Sequence, residues 1–502
     1  MFKTLAGKIT KDKDLPERTW NLQVLRSVLD GSLYDNLKYS FQDERNSSGE
    51  YIPLRDRRPS VRYNLCRMVV QDSVALLFGD GHFPTIGFNS PDDTQTIADI
   101  LKETKLAQTM HEAAILGSIG SVAVMMRVLN GRIFFDAMDT DYLTPKYNPN
   151  APDTLLSVTE RYKVKGRALV ASGYNIAADH LDRDFWFQRV WDGVAENWYL
   201  PVLVETEVQN NAFKNAIAKA APAEPTIDNE RTVKHGLGFV PIVWIKNLPT
   251  GKGIDGACTF RPAIDTQIEI EYQLSQAGRG LKYSSDPLLM IKEPAGEGGP
   301  MVRTPATALV VSENGDAKML EISGTAATAV IEYVRVLRES AIETIHGNRS
   351  NADKVSAAQS GRALEMMHQP LIWLADQLRT NYGENGVLPL VRMIIAACVK
   401  FPTIKVLGKQ VKPFSSNDTP ALRWPKWFAS TGADIQQEAT ALKTLRDAGV
   451  ISRETAVKSI ASTFDIEDIE IEIAAIAADE EAEFARALEM KAQVKATATL
   501  PD

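Results

Sequence analysis

Apolar residues recur at helical spacing along several stretches of the chain. Over residues 20–30, Leu22, Leu25, Val28 and Leu29 return every three or four positions and Gly31 follows, which predicts a short amphipathic helix stopped by glycine. Over 62–78, Leu65, Val69, Asp72 and Leu76 form one stripe, Met68, Ala75 and Leu77 widen it, and Gly79 closes a mostly buried helix. A third helix is predicted over 94–117, with Ile97, Ile100, Leu101, Met110, Ala113, Ala114 and Gly117 on its face. The period then drops to two. Segments 121–129 and 132–137 flank Asn130-Gly131, a pair that accepts positive φ and suits a two-residue type I′ hairpin. The Val, Tyr, Phe and Trp of 155–206 predict a meandering antiparallel sheet, 212–230 a surface loop, 239–246 a strand and 247–256 a turn.

The second half is built on longer helices. Over 260–281, Ile264, Ile268, Tyr272 and Ser275 make one stripe and Ile270, Leu274, Ala277 and Leu281 another, so this helix has two neighbours. About 18 helical residues span roughly 27 Å, more than a small sheet needs for cover. Strands follow over 287–291 and 308–322, joined by EPAGEGGP, with Asn314-Gly315 as a second hairpin signal. A matching helix over 325–346 carries Val330, Tyr333, Val334, Leu337, Ala341 and Ile345 on one face, so two long helices bracket a small β insertion. The polar segment 348–360, between Gly347 and Gly361, reads as a mobile loop. The longest helical pattern, 362–401, is interrupted by Pro370, where a kink is expected, and by 383–386. Strands over 403–406 and 411–414 lead to Trp424-Pro425-Lys426-Trp427-Phe428. The tail is helical: 435–448 stops at Gly449, Ser452 caps the next helix, and Ile466, Ile469, Ile473 and Ile476 stripe the last. The class is α+β.

Composition narrows the function. With 502 residues, 44% of them hydrophobic and 24% charged, the chain is expected to fold into several packed units. No stretch supplies about 18 uninterrupted apolar residues, and the lysine-bearing start lacks the apolar core of a secretory signal, so neither a membrane span nor export is expected. Cys66, Cys258 and Cys398 are far apart and odd in number, and read as buried thiols of a reducing compartment. A net charge of −8 argues against a protein that grips nucleic acid, since such affinity comes from Lys and Arg displacing phosphate counterions.

Four motifs invite chemistry. Thr250-Gly251-Lys252-Gly253 lacks both the upstream Gly and the Ser or Thr after Lys252 that a phosphate-binding loop needs, and reads as a surface turn. His111-Glu112 lacks a second His one turn on and reads as an ordinary helical pair. Asp136, Asp139 and Asp141 resemble a metal-assisted nuclease cluster, against a reading as strand-end caps and turns. Residues 465–483 hold nine carboxylates without a Lys or Arg, a solvated helix face in the plain reading and a binding surface in the other. No metal or cofactor is expected.

The order of elements, together with LRSVLDGSLYDNL, NLCRMVVQDSVALLFGDG, GFVPIVWIKN, SGRALEMMHQPLIWLADQL and LRDAGVISRETAV, resembles the portal proteins of tailed bacteriophages over about 20–480. That resemblance implies a portal fold with helical stem and crown, a mixed α/β wing and a small β clip. Its parts would be an N-terminal wing, 1–256; stem helices, 257–282 and 325–347; a clip, 283–324; a tunnel loop, 348–360; a kinked wing helix with wing strands, 361–431; and a crown with the C-terminal tail, 432–502. It implies a homo-oligomeric ring, a dodecamer, at one capsid vertex of the virion, assembled in the host bacterial cytoplasm. Double-stranded DNA would pass through it without sequence readout. Its protein partners would be the major capsid protein, the scaffold, the terminase large subunit and the head-tail adaptor. Asn348, Arg349, Ser350, Asn351, Asp353 and Lys354 would face the channel, and the subunit would be no enzyme. The competing readings are another head-tail connector ring, or a packaging nuclease or ATPase acting through Asp136, Asp139 or Lys252.

Overall fold

A computed structural model describes residues 1–79, 81–204, 225–251, 253–284, 288–294, 311–320, 325–346, 366, 368–412, 414, 419–427, 432–461, 466 and 469–497. The chain forms two compact units, one of Met1–Asn348 with Pro370–Pro425 and one of Arg349–Gln369 with Lys426–Asp502.

The first unit opens with α1 (Phe2–Ala6) and α2 (Glu17–Asp30), which ends where Gly31 turns left-handed at φ 76°, as the glycine stop predicts. In α3 (Leu65–Phe78) the Asn64 side chain accepts from the Arg67 amide and caps the start. Its buried face runs through Leu65, Cys66, Val69, Val70, Ser73, Val74, Leu77 and Phe78, so the predicted stripe is displaced: Asp72 and Leu76 are only half-buried and Ala75 is exposed. After β1 (Thr85–Gly87), the helix expected over 94–117 is two helices, α4 (Pro91–Thr104) and α5 (Leu106–Gly117). Lys105 breaks it at φ 54°, closing α4 as a left-handed cap.

Next come β2 (Ser121–Leu129) and β3 (Arg132–Asp139), whose register places Leu129 opposite Arg132. Asn130 and Gly131 both take positive φ, 52° and 72°, as a type I′ turn requires. Strands β4 (Leu143–Asn148), β5 (Ala151–Lys165), β6 (Asp184–Asp192), β7 (Ala195–Trp198), β8 (Val202–Leu203) and β9 (Val233–Lys234) form an antiparallel sheet in the order β4-β5-β6-β7-β9, with β8 also on β6. The short helix α6 (Gly166–Ala171) interrupts it. β10 (Ile242–Lys246), shorter than the expected 239–246, pairs with β2, so the order of this three-stranded sheet is β10-β2-β3.

α7 (Ile264–Ser284), β11 (Leu288–Pro294), β12 (Val311–Leu320) and α8 (Thr325–Thr344) follow. Beyond them a helical stretch runs from Gln369 to Lys400. Pro370 stands in its opening turn, where its missing N–H costs nothing, instead of kinking its interior. The irregularity lies at Arg379–Val387, which winds as a π-helix. The reason is local contact. There Asn381 donates to the Asn247 carbonyl at 2.7 Å and the Tyr382 hydroxyl to Asn247 Oδ1 at 3.2 Å, while a Cβ at Gly386 would stand 2.9 Å from Ile245. By length and hydropathy Gln369–Lys400 is apolar enough to cross a membrane, contrary to expectation, but 56% of its apolar window is buried and Leu374, Leu378, Leu390, Val391 and Ile394 belong to the main core. β13 (Lys405–Val406) and β14 (Lys409–Gln410) form a tight hairpin through Leu407 and Gly408, with the second strand two residues earlier than the expected 411–414. β15 (Ala421–Arg423) returns to pair with β1.

The second unit holds three described helices, Gly432–Asp447, Arg453–Ile460 and Ile469–Thr497. Ser452 Oγ accepts from the Thr455 amide at 3.1 Å, the predicted cap. Ile469, Ile473 and Ile476 are half-buried while Glu470, Asp479, Glu480 and Glu481 are exposed, so the stripe and the acidic faces stand as read.

Candidate functional site

The most distinctive feature of the first unit is the pair α7 and α8. The 21 residues of α7 span about 31 Å and α8 packs alongside. Their joined end is rooted in the core: Phe260, Ala263, Ile264, Ile268, Ala341 and Ile345 are all buried in one cluster. Toward the other end burial falls away. Gln276, Gly278, Gly280, Leu281 and Lys282 on α7 are exposed, as are Ile331, Tyr333 and Val336 on α8. Beyond lies the two-stranded antiparallel ribbon of β11 and β12, with Leu288 opposite Leu320. Asn314-Gly315 does not form the turn of this ribbon. It lies within β12, where the register shifts between Lys292, opposite Asp316, and Pro294, opposite Val311; glycine inside a strand here marks a bulge.

The root is polar as well as apolar. Gln267, Glu271 and Ser275, spaced four apart on α7, are all buried and meet the start of α3. The Cys66 amide donates to Gln267 Oε1 at 2.9 Å, the Tyr63 and Asn64 amides to Glu271 Oε1 at 3.0 and 3.1 Å, and the Val61 amide to Ser275 Oγ at 3.0 Å. The Tyr34 hydroxyl donates to the other Glu271 oxygen. Three side chains of one helix thus satisfy amide donors that the start of another leaves without intrahelical partners, and a carboxylate there complements the positive end of the helix dipole. Burial pushes the Glu271 carboxyl up to about 7, against the lowering effect of the Tyr34 and Tyr63 hydrogen bonds and the Arg62 charge. Sequence reasoning took Ser275 into an apolar stripe and missed Gln267 and Glu271. Their i, i+4, i+8 spacing was a visible signal without a visible partner.

The other candidates carry no chemistry of their own. Asp139 and Asp141 both pair with Arg26, at 2.7 and 3.0 Å, while Asp136, on the opposite face of β3, lies 3.6 Å from Arg127. These carboxylates are held by guanidinium groups, which replaces the reading of them as caps and turns, and among the described residues no cluster could hold a metal ion. Lys252, between the left-handed Gly251 and Gly253, lies outside the described residues. Cys66 and Cys398 are buried and Cys258 half-buried, and burial raises each thiol, which leaves them inert as nucleophiles. Asn348, Arg349, Ser350, Asn351, Asp353 and Lys354 also lie outside the described residues.

An α+β core from which a paired-helix arm carries a small β ribbon outward defines a class of structural subunit, one whose working surface is an arm instead of a cleft. The chain belongs to the phage portal protein family, SPP1 Gp6-like, whose model matches residues 10–485. Membership makes it a portal subunit of the phage head, part of a multimeric ring at a capsid vertex of the virion that interacts with capsid and packaging components. No curated protein matches the sequence.

Proposed function

We propose that twelve copies of this subunit ring a channel through which double-stranded DNA is packaged and ejected, and that the ring docks the terminase large subunit on one side of the vertex and the head-tail adaptor once packaging ends. In this reading α7 and α8 are the stem, the β11 and β12 ribbon is the clip, and residues 348–360 are the tunnel loop. The helices after 432 form the crown, and the remainder forms the wing against the major capsid protein and scaffold. Assembly takes place in the host cytoplasm. The subunit turns over no substrate, and ATP hydrolysis belongs to the terminase.

The observation that carries the proposal is the distribution of side chains around α8. Val330, Val334, Leu337, Ala341 and Ile345 face inward, and the opposite side is charged, with Glu332 and Glu339 flanking Arg335 at 3.9 and 3.5 Å. On either side of this charged strip stand exposed apolar residues, Ile331 on one flank and Val336 and Tyr333 on the other; at about 100° per residue, Ile331 and Val336 lie roughly 140° apart. A head-to-tail ring needs two different patches on every subunit, and two apolar flanks supply them. The strip between them would line the bore. With two glutamates for each arginine there, and −8 net charge per chain, repeated copies repel phosphate near the wall, so DNA slides without a binding barrier at each step.

Negative-stain microscopy of the purified chain tests this. Rings with a central hole wide enough for a duplex are expected; monodisperse monomers at micromolar concentration overturn the reading. Within assembled rings, Arg349→Ala with Lys354→Ala should alter DNA packaging or retention and leave ring yield unchanged. Loss of rings removes the tunnel-loop assignment.

A further inference from the structure

A cavity of about 920 Å³ lies between the two sheets of the first unit, walled by the end of β2, by β5, β6, β7 and β9, and by α6. Most of its wall is apolar. Met126, Val128, Leu169, Phe187, Val233 and Phe401 are representative. Its size is at the upper end of the range of small-molecule sites, and it takes no part in the hairpin or ribbon.

What distinguishes it from a packing defect is its polar content. Trp191 is 1% exposed and Tyr174 9%, yet neither the indole Nε1–H nor the phenol hydroxyl has a hydrogen-bond partner. Leaving a buried donor unsatisfied costs about 1–3 kcal/mol, and two in one cavity point to a ligand that supplies acceptors. Both rings are fixed by cations on their faces. Arg189 lies 4.5 Å from the Trp191 ring centre and Arg231 lies 3.7 Å from that of Tyr174, which leaves the donors at the ring edges free.

The charge balance sets the sign of the ligand. The one carboxylate in the wall, Glu196, is held by Arg189 at 3.3 Å, and both ring nitrogens of His235 are engaged by the backbone at Asp192 and Leu237. Arg127 Nε is buried without a hydrogen bond, its nearest carboxylate oxygen being that of Asp136 at 3.6 Å. Lys234 is exposed at the rim and makes no ion pair among the described residues. Donors and positive charge are in surplus and no carboxylate is free.

We infer that this cavity is a binding site for a small amphipathic carboxylate, its apolar body between the sheets and its head on Trp191 Nε1 and the Tyr174 hydroxyl. Calorimetric titration of the full-length protein with decanoate, below its micelle concentration, tests it. Saturable binding is expected, weakened about tenfold by Trp191→Phe or Tyr174→Phe, each of which keeps its ring and removes its donor. Ala168→Trp, at an exposed position of α6 on the cavity wall, should abolish it by filling the space. Thermal melts of the three variants that match the parent show that the fold is intact. No saturable binding to the parent, or binding that all three substitutions leave unchanged, overturns the proposal. Decanol bound as tightly as decanoate overturns the assignment of an anionic head.

Discussion

The two ends of the α7 and α8 pair share one helical hairpin and have opposite relations to the protein. At the root, Gln267, Glu271 and Ser275 are buried against the start of α3, and Ala341 and Ile345 sit in the main core. At the other end, Leu281 is 47% exposed and Ile331 58%, with no partner from the same chain. Amphipathic patterning alone does not separate them, because both halves are apolar every third or fourth residue. The lesson is that hydrophobic periodicity says a face is to be covered without saying by what. The root is covered by its own chain, and the free end has its apolar flanks available for neighbouring copies.

Four measurements would break or sharpen this contrast. The largest effect is expected at the free end. Ile331→Asp combined with Val336→Asp should abolish rings in negative stain while the thermal melt of the monomer stays within a few degrees of the parent, because exposed positions contribute little to the fold of the subunit. A large drop in melting temperature would mean that these residues serve the fold and not assembly.

At the root the expected result is the reverse. Glu271→Ala leaves the Tyr63 and Asn64 amides and the Tyr34 hydroxyl without their acceptor and should destabilise the subunit by about 3 kcal/mol in denaturant unfolding. A loss under about 1 kcal/mol would show that the latch is not holding the helix.

The same residue predicts a pH dependence. Its carboxyl ionises near 7 when folded and near 4.5 in its ordinary state, so the folded chain holds this proton more tightly. Its stabilising contribution is therefore fully present below about pH 4.5 and is lost as pH rises through 7, by roughly 2 kcal/mol. Glu271→Gln, which cannot titrate, should flatten that decline relative to the parent; identical profiles would remove Glu271 from the account. The smallest effect is expected from Ser275→Ala, about 1 kcal/mol, since only the Val61 amide loses its acceptor.

Much of this architecture was readable before any coordinates. The helices over 20–30 and 260–281, the Asn130-Gly131 hairpin and the Ser452 cap each depend on neighbours within a few residues, so local spacing and turn chemistry suffice. The failures share a cause. Lys105 carries no side-chain signal for a left-handed cap, and it is the packing of α4 and α5 on separate sides of β3 and α3 that breaks the run there. Asn314-Gly315 accepts unusual backbone angles wherever it stands, and the pairing of β11 with β12 makes it a bulge instead of a turn. The displaced stripe of α3 reflects a helix packed on more than one side, against both α5 and α7. In the candidate site, the paired long helices and the ribbon between them were visible, and the Glu271 latch was not, because a buried polar trio is recognisable only once the amides it serves are placed beside it.

The sequence by itself determined the succession of helices and strands, the tight turns, the acidic balance and the family, because each follows from composition or from residues adjacent in the chain. Only the tertiary structure decided which apolar faces are spent within the subunit and which remain open, that Asp139 and Asp141 serve Arg26 and not a metal, and that Trp191 and Tyr174 share one cavity. These depend on residues brought together from distant parts of the chain, and no local pattern encodes the partner that a buried charge or donor will meet.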